Sequence, residues 1–226
     1  MIKENLQLVR DGISEACAKF GRAPEEVTLI AVSKNFGADA VIEAYNAGQL
    51  CFGENRAQEF REKSQLCPPE LQWHFIGHLQ TNKVKYLVGN VAFIHSIDSV
   101  ELVQEIQKYA AKLGVVQKIL IEFKTSEEES KFGITTKQQL LNVLNFATEA
   151  SNVEPVGLMT IAPFTDDEQK ITQSFVTLRN LRDELQAEGY TLPHLSMGMS
   201  SDYQIAIREG ATMVRVGSSI FGTRVY

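Results

Sequence analysis

The chain has 226 residues, 44% of them hydrophobic and 22% charged, with 22 basic against 28 acidic side chains for a net charge of −6. That length supports a sizeable core, and an acidic surplus spread along the whole chain excludes a surface built to neutralise nucleic-acid phosphates. No run reaches the ~18–20 apolar residues of a membrane-spanning helix, and the three cysteines, Cys17, Cys51 and Cys67, show neither disulfide nor zinc spacing.

With Lys3, Glu4, Arg10 and Asp11 at its start instead of an apolar leader, the chain reads as a cytoplasmic protein with free thiols, one domain over 1–226. Ile2, Leu6, Val9, Ile13, Ala16 and Phe20 recur every three or four residues and predict an amphipathic helix over 1–21, stopped by Gly21 and Pro24. Apolar runs of strand length follow at 27–33, 49–52, 72–76, 91–97, 116–123, 153–160, 194–197 and 212–216. Between them Asn55-x-x-Gln58, Asp98-x-x-Glu101, Thr135-x-x-Gln138 and Thr165-x-x-Glu168 read as capping boxes that open helices. Strand and helix alternating in this way predict an α/β fold, a closed (β/α)8 TIM barrel with an extra N-terminal helix. The competing open sheet would carry a glycine fingerprint after its first strand. VSKNFGADA has none, and Gly217 to Gly222 is a weak match at the far end.

Barrel chemistry sits at the carboxyl ends of the strands. Those ends carry Lys34, then Gly53-Glu54-Asn55, Gly77-His78, Met159-Thr160, SMGMSSD from Ser196 and RVGSSIFG from Arg215. The last two stretches offer small residues and hydroxyls at the strands where barrels commonly hold phosphate, so Ser196, Gly198, Gly217 and Ser218 form an expected anion cradle; ordinary capped turns share that composition. Lys34 continues the row Ile30, Val32 and so points its amine into the mouth; the alternatives are solvent or an ion pair with Glu54. A mouth lysine kept neutral by burial or by a neighbouring cation such as Arg215 is a Schiff-base nucleophile. Amine, cradle and arginine together suit pyridoxal 5′-phosphate (PLP), its aldehyde on Lys34 and its pyridine nitrogen facing Arg215, which donates only and keeps that nitrogen unprotonated. Arg215 reads alternatively as a salt bridge inside the barrel. Asn55, either a helix cap or a cofactor contact, and Met159 complete the expected set.

AVSK, FGEN, WHFIGHLQTNK, GLMTIAP, LSMGMSSDYQIAI and VRVGSSIFG, in this order over almost the whole chain, closely resemble the pyridoxal phosphate homeostasis protein family. The resemblance implies a barrel like the N-terminal domain of alanine racemase (PLP fold type III), a cofactor lysine at Lys34, and a role in vitamin B6 and amino-acid and keto-acid balance with no established reaction. Asn35-Phe36-Gly37 stands where the family often has a threonine- and proline-containing turn, and Arg56 where a tyrosine is common; both departures bear on loop geometry.

A racemase of this architecture needs a second acid/base, which alanine racemase takes from a tyrosine of another domain. Here the chain stops at Tyr226, and Tyr203 and His78 are the mouth residues left for that role. The favoured reading is a non-catalytic protein that stores PLP or delivers it to apo PLP-enzymes through a reversible Schiff base on Lys34. A PLP-dependent racemase or lyase, or an aldolase-like barrel for sugar phosphates, is the alternative. Glu127-Glu128-Glu129 reads as a solvated loop or a metal or partner site, and His74, His95 and His194, without ligand spacing, as core or rim residues. No metal is expected, and the oligomeric expectation is a monomer.

Overall fold

The computed structural model describes residues 1–126 and 132–222; Glu127-Glu128-Glu129 and Tyr226 lie outside the described residues. Strands β1 (Thr28–Val32), β2 (Cys51–Glu54), β3 (Gln72–Phe75), β4 (Phe93–Ile97), β5 (Gln117–Glu122), β6 (Val153–Met159), β7 (His194–Ser196) and β8 (Met213–Val216) close into a barrel in chain order. All eight apolar runs are therefore strands. Helix α1 (Ile2–Lys19) precedes them, and α2 (Ala38–Asn46), α3 (Ala57–Ser64), α4 (Val100–Leu113), α5 (Lys137–Glu149), α6 (Glu168–Ala187), α7 (Tyr203–Arg208) and α8 (Ser218–Phe221) follow successive strands. The crossover after β3 differs: it carries a 3₁₀ segment, Thr81–Tyr86.

Because strand side chains alternate, the sheet builds two cores. Phe52, Ile94, Ile119, Leu158 and Val214 face the helices, whereas Ile30, Leu120, Val156, Met159 and Met213 fill the barrel interior. Outside, α1 buries Leu6, Val9, Ile13, Ala16 and Cys17 against α7, α8 and α2. Each large side chain buried this way stabilises by about 1.5–3 kcal/mol, which explains why a helix outside the barrel repeat stays docked. Asn5 Nδ2 donates to Ile220 O at 3.0 Å, fastening the start of α1 to α8, and just beyond its end Arg22 Nη1 donates to Ile207 O and Ala211 O at 2.9 and 2.7 Å, fastening it to α7 and the turn after it.

The caps differ from expectation. Ser99, Thr136 and Asp167, not Asp98, Thr135 and Thr165, accept the first free amides of α4, α5 and α6, and α3 begins after Arg56 without a side-chain cap. In each of the first three cases a competing cap residue stands one or two places further on, where it reaches those amides. The cysteines are unbridged. Among the described residues no helix is long and apolar enough to cross a membrane, and no His/Cys/Asp/Glu group could hold a metal.

Gly157 shows how tightly β6 and β7 approach: a Cβ there would meet the backbone carbonyl of His194, its register partner. Gly157→Ala should cost about 1–3 kcal/mol, because backbone on both sides of the contact must shift; a urea unfolding curve with an unchanged midpoint would contradict this.

Candidate functional site

At the seam of the barrel, β1 pairs with β8, Ile30 opposite Arg215 and Ala31 opposite Val216. That register brings Val32 level with Gly217, and Lys34, two residues further on, leaves the sheet at its carboxyl end. Its strand ends at Val32, and the chain turns through Asn35, whose φ of 66° lies in the left-handed region that asparagine tolerates. Lys34 consequently sits in the turn, exposed, with no hydrogen bond or ion pair to any described residue. Of the two alternatives to an inward-pointing amine, the exposed turn matches the one that reaches solvent; the pair with Glu54 is not formed, because Glu54 belongs to the opposite strand face and bonds Lys63.

There Glu54, 1% exposed, accepts from Ser33 Oγ at 2.6 Å and from Lys63 Nζ at 2.7 Å. Lys63 also donates to the Ser33 carbonyl at 2.7 Å, and Glu59 accepts from the Asn35 amide at 2.8 Å. Both neighbours of Lys34 are thus gripped by α3. Burial pushes the Glu54 carboxyl up, with Lys63 and Ser33 pulling the other way. Phe36 adds an aromatic contact to Phe221, ring centroids 5.2 Å apart, and so joins the lysine turn to α8. Both departures from the resembled family fit here: Gly37 precedes the first residue of α2, and Arg56 is an exposed partner of Glu59 at 3.4 Å.

Across the seam, Ser200 Oγ accepts from the Gly217 amide at 3.2 Å and the Ser219 amide at 3.5 Å. Donors from the eighth loop converge on one oxygen, as a phosphate requires. Gly198 turns with φ 95°, and a Cβ there would collide with Ala206, so the backbone lies flush against α7. Ser218 and Ser219 are exposed beside it. Ser196 is different: it is fully buried, with its hydroxyl committed to Arg215 at 2.6 Å and His95 at 2.9 Å. It forms part of the floor, and Ser200, which the sequence reading passed over, stands between the loops. Strand parity separates the two, since Ser196 ends β7 on an inward row whereas Ser200 lies in the turn.

Arg215, 4% exposed, also donates Nη2 to the Thr160 carbonyl at 2.8 Å. Burial lowers its pKa to about 10, so it remains a cation at neutral pH. Burial likewise raises Glu122, at the end of β5, to about 7 against the pull of Arg215. Met159 packs in the interior beneath the mouth, and Asn55 presents a buried Oδ1 with no partner among the described residues. His78 is exposed and stacks on Phe132 at 3.8 Å. Tyr203 does not reach the mouth: its hydroxyl lies against Gly12 of α1. An accessible amine, a donor cradle and a buried cation between strands suit an elongated ligand with an anionic end and an acceptor in its ring.

The profile described as "Alanine racemase, N-terminal domain" matches residues 5–225. A pyridoxal phosphate homeostasis protein of Aquifex aeolicus is 46% identical over 99% of this chain and 98% of its own length. The chain belongs to this family. Among solved structures, PipY of Synechococcus elongatus PCC7942 with PLP bound superposes with a TM-score of 0.86 at 37% identity, covering 98% of this chain and all of that one. Alanine racemase of Clostridium difficile 630 shares the barrel, with a TM-score of 0.78 at 16% identity over 99% of this chain and 58% of its own.

Lys63→Met strands the Glu54 carboxylate in the sheet–helix layer, and should destabilise the protein by about 3–5 kcal/mol in urea unfolding. The Glu122 pKa lies above its unfolded value of 4.5, so its contribution to stability is complete below that pH and is lost as pH rises through about 7. Glu122→Gln should leave melting unchanged near pH 4.5 and raise stability by up to about 3 kcal/mol at pH 8; equal shifts at both pH values would contradict the assignment.

Proposed function

We propose that this chain binds PLP reversibly at Lys34 and serves intracellular PLP homeostasis, holding the cofactor for delivery to apo PLP-enzymes without a dedicated reaction of its own. The observation that carries this reading is the juxtaposition, across one barrel seam, of an unpaired lysine with a phosphate-type cradle and a buried arginine. Its relatives' name and the PLP held by PipY support it.

The residues fit the group. When bound, PLP supplies an aldehyde that condenses reversibly with amines, and Lys34 is the amine within the mouth. The loop amides of Gly217 and Ser219, with Ser200 and Ser218, would hold its phosphate; Gly198 keeps the backbone close. Arg215 can only donate, and its protonation at neutral pH keeps a facing ring nitrogen free of a proton. A ring held this way is a weak electron sink, which suits storage better than carbanion chemistry. Asn55 offers its unpartnered amide oxygen, and Met159 gives an apolar floor. The exposure of Lys34 leaves the bound aldehyde open to displacement by another amine, which is what delivery needs. A racemase or lyase reading would require a second acid/base; Tyr203 is turned towards α1, which leaves only His78, stacked on Phe132, of the two residues expected to serve. In this reading the whole chain works as one barrel unit, as a monomer in the cytoplasm.

Purified protein should be yellow, and borohydride should fix a pyridoxyl group on Lys34, located by peptide mapping. Lys34→Ala should lose both signals and the ability to load an apo PLP-enzyme. Wild-type protein that stays colourless with added PLP would end the proposal, and cofactor transfer undiminished in Lys34→Ala would end the delivery role.

A further inference from the structure

Three inward-facing side chains from three strands continue below Arg215. Ser196 Oγ, which accepts from Arg215 Nη1, lies 2.9 Å from His95 Nδ1; His95 Nε2 lies 2.9 Å from His74 Nδ1. His95 and Ser196 are 0% exposed and His74 is 1% exposed, stacked flat on Phe93 with centroids 4.9 Å apart. His74 Nε2 has no partner among the described residues. A heavy-atom chain of this kind can run in two directions, because each imidazole has two tautomers.

We infer that the chain runs one way, from Arg215 through Ser196 and His95 to His74, and that His95 and His74 are positioning residues for the guanidinium. Arginine has no lone pair to offer, so Ser196 Oγ must accept from it. If the serine hydrogen then goes to His95 Nδ1, His95 carries its proton on Nε2 and donates to His74 Nδ1, and His74 carries its proton on Nε2. One buried group, the His74 Nε2–H, is left over. In the reverse direction His95 Nδ1–H would donate to the serine. The serine hydrogen and the His74 Nε2 lone pair would both be orphaned, since among the described residues Ser196 Oγ bonds only His95 and Arg215. Each buried orphan costs about 1–3 kcal/mol, which decides for the forward direction. The guanidinium also polarises the serine hydroxyl towards donating, so successive bonds reinforce one another.

Both rings stay neutral in this arrangement. The charged and titratable groups that face them are Arg215 from β8 and His194 from β7, with Lys118 of β5 over the Phe93 ring. All are basic; burial is the main cause that holds His95 well below its ordinary value and His74 near 3, with His74, Arg215 and His194 adding to it at His95 and His194 at His74. A doubly protonated ring would lose the lone pair that the serine or the neighbouring ring needs. The chain thus keeps Ser196 a fixed acceptor, and with the Thr160 carbonyl it sets the guanidinium plane. Resting on the PLP reading above, this makes position 95 a control on the bond Arg215 makes to the cofactor's ring nitrogen.

Ring ¹⁵N spectra of the unmodified protein, without added PLP, test the direction and require no substitution. His95 and His74 should both appear neutral with the proton on Nε2 from pH 8 down to pH 5.5. A proton on His95 Nδ1, or a doubly protonated His95, would overturn the inference. A second arm titrates PLP by its absorbance into His95→Leu and His95→Asn, with melting curves alongside. His95→Asn keeps an acceptor near the Nδ1 position and should bind like wild type, whereas His95→Leu should bind about three- to tenfold more weakly, with a shifted band. Wild-type affinity and band in His95→Leu would overturn the positioning role. A wild type that takes up no PLP would instead overturn the proposed function and its claim on the ring nitrogen, and the tautomers would be judged by the first arm.

Discussion

Closure of the sheet between β1 and β8 is the constraint on which the mouth depends. Hydrogen bonding in a closed parallel barrel leaves no free edge, so the side-chain parity of each strand is set by its two neighbours. With Ile30 opposite Arg215, the guanidinium must face the interior and Gly217 must come level with Val32, two residues before the lysine. A slip of one residue would move Arg215 into the apolar layer beneath the helices, away from Ser196 and Thr160. The arginine therefore enforces the register that the cradle needs.

Two buried polar systems lie on opposite faces of that sheet and do different things. The outer one, Glu54 with Lys63 and Ser33, is a charged pair whose desolvation cost makes it a poor source of net stability. Its geometry explains its presence better than its energy does, since it grips the backbone on the N-terminal side of Lys34 while Glu59 holds the other side. The inner one holds a single cation, with neutral partners drawn from β3, β4 and β7. The outer system alone reaches the turn, where Lys63 and Glu59 bond the backbone on either side of the exposed lysine.

The strands were legible because each is a short apolar run bounded by polar turns, and the clustering of serine and glycine at the ends of the last two marked where loop amides meet Ser200, though not that Ser196 is committed to Arg215 and His95. The caps were misread by one or two residues wherever two cap-forming side chains adjoin, as at Asp98-Ser99 and Thr135-Thr136; only the backbone decides which of them reaches the amides. The inner polar chain was illegible for a different reason. His95 and Ser196 lie 101 positions apart, and a histidine in an apolar run looks the same whether it meets a phenylalanine or a serine. The alternative of a Glu54–Lys34 pair is ruled out by parity, because Gly53 lies on the inner face of β2 and Glu54 on the outer, where it bonds Lys63.

The docking of α1 on α8, and of Phe36 on Phe221, joins the first β/α unit to the last. Contacts between the two ends of a chain form only after everything between them exists, and they make closure a late event in folding. During synthesis, a nascent chain displays Lys34 long before Arg215, Gly217 or Ser219 has left the ribosome. The amine then has neither a counterpart for an anion nor a partner for a ring, so a free aldehyde meeting it is held no better than by any surface lysine. If the ligand binds at Lys34 as proposed, its possession would certify that translation has run to the end of the barrel.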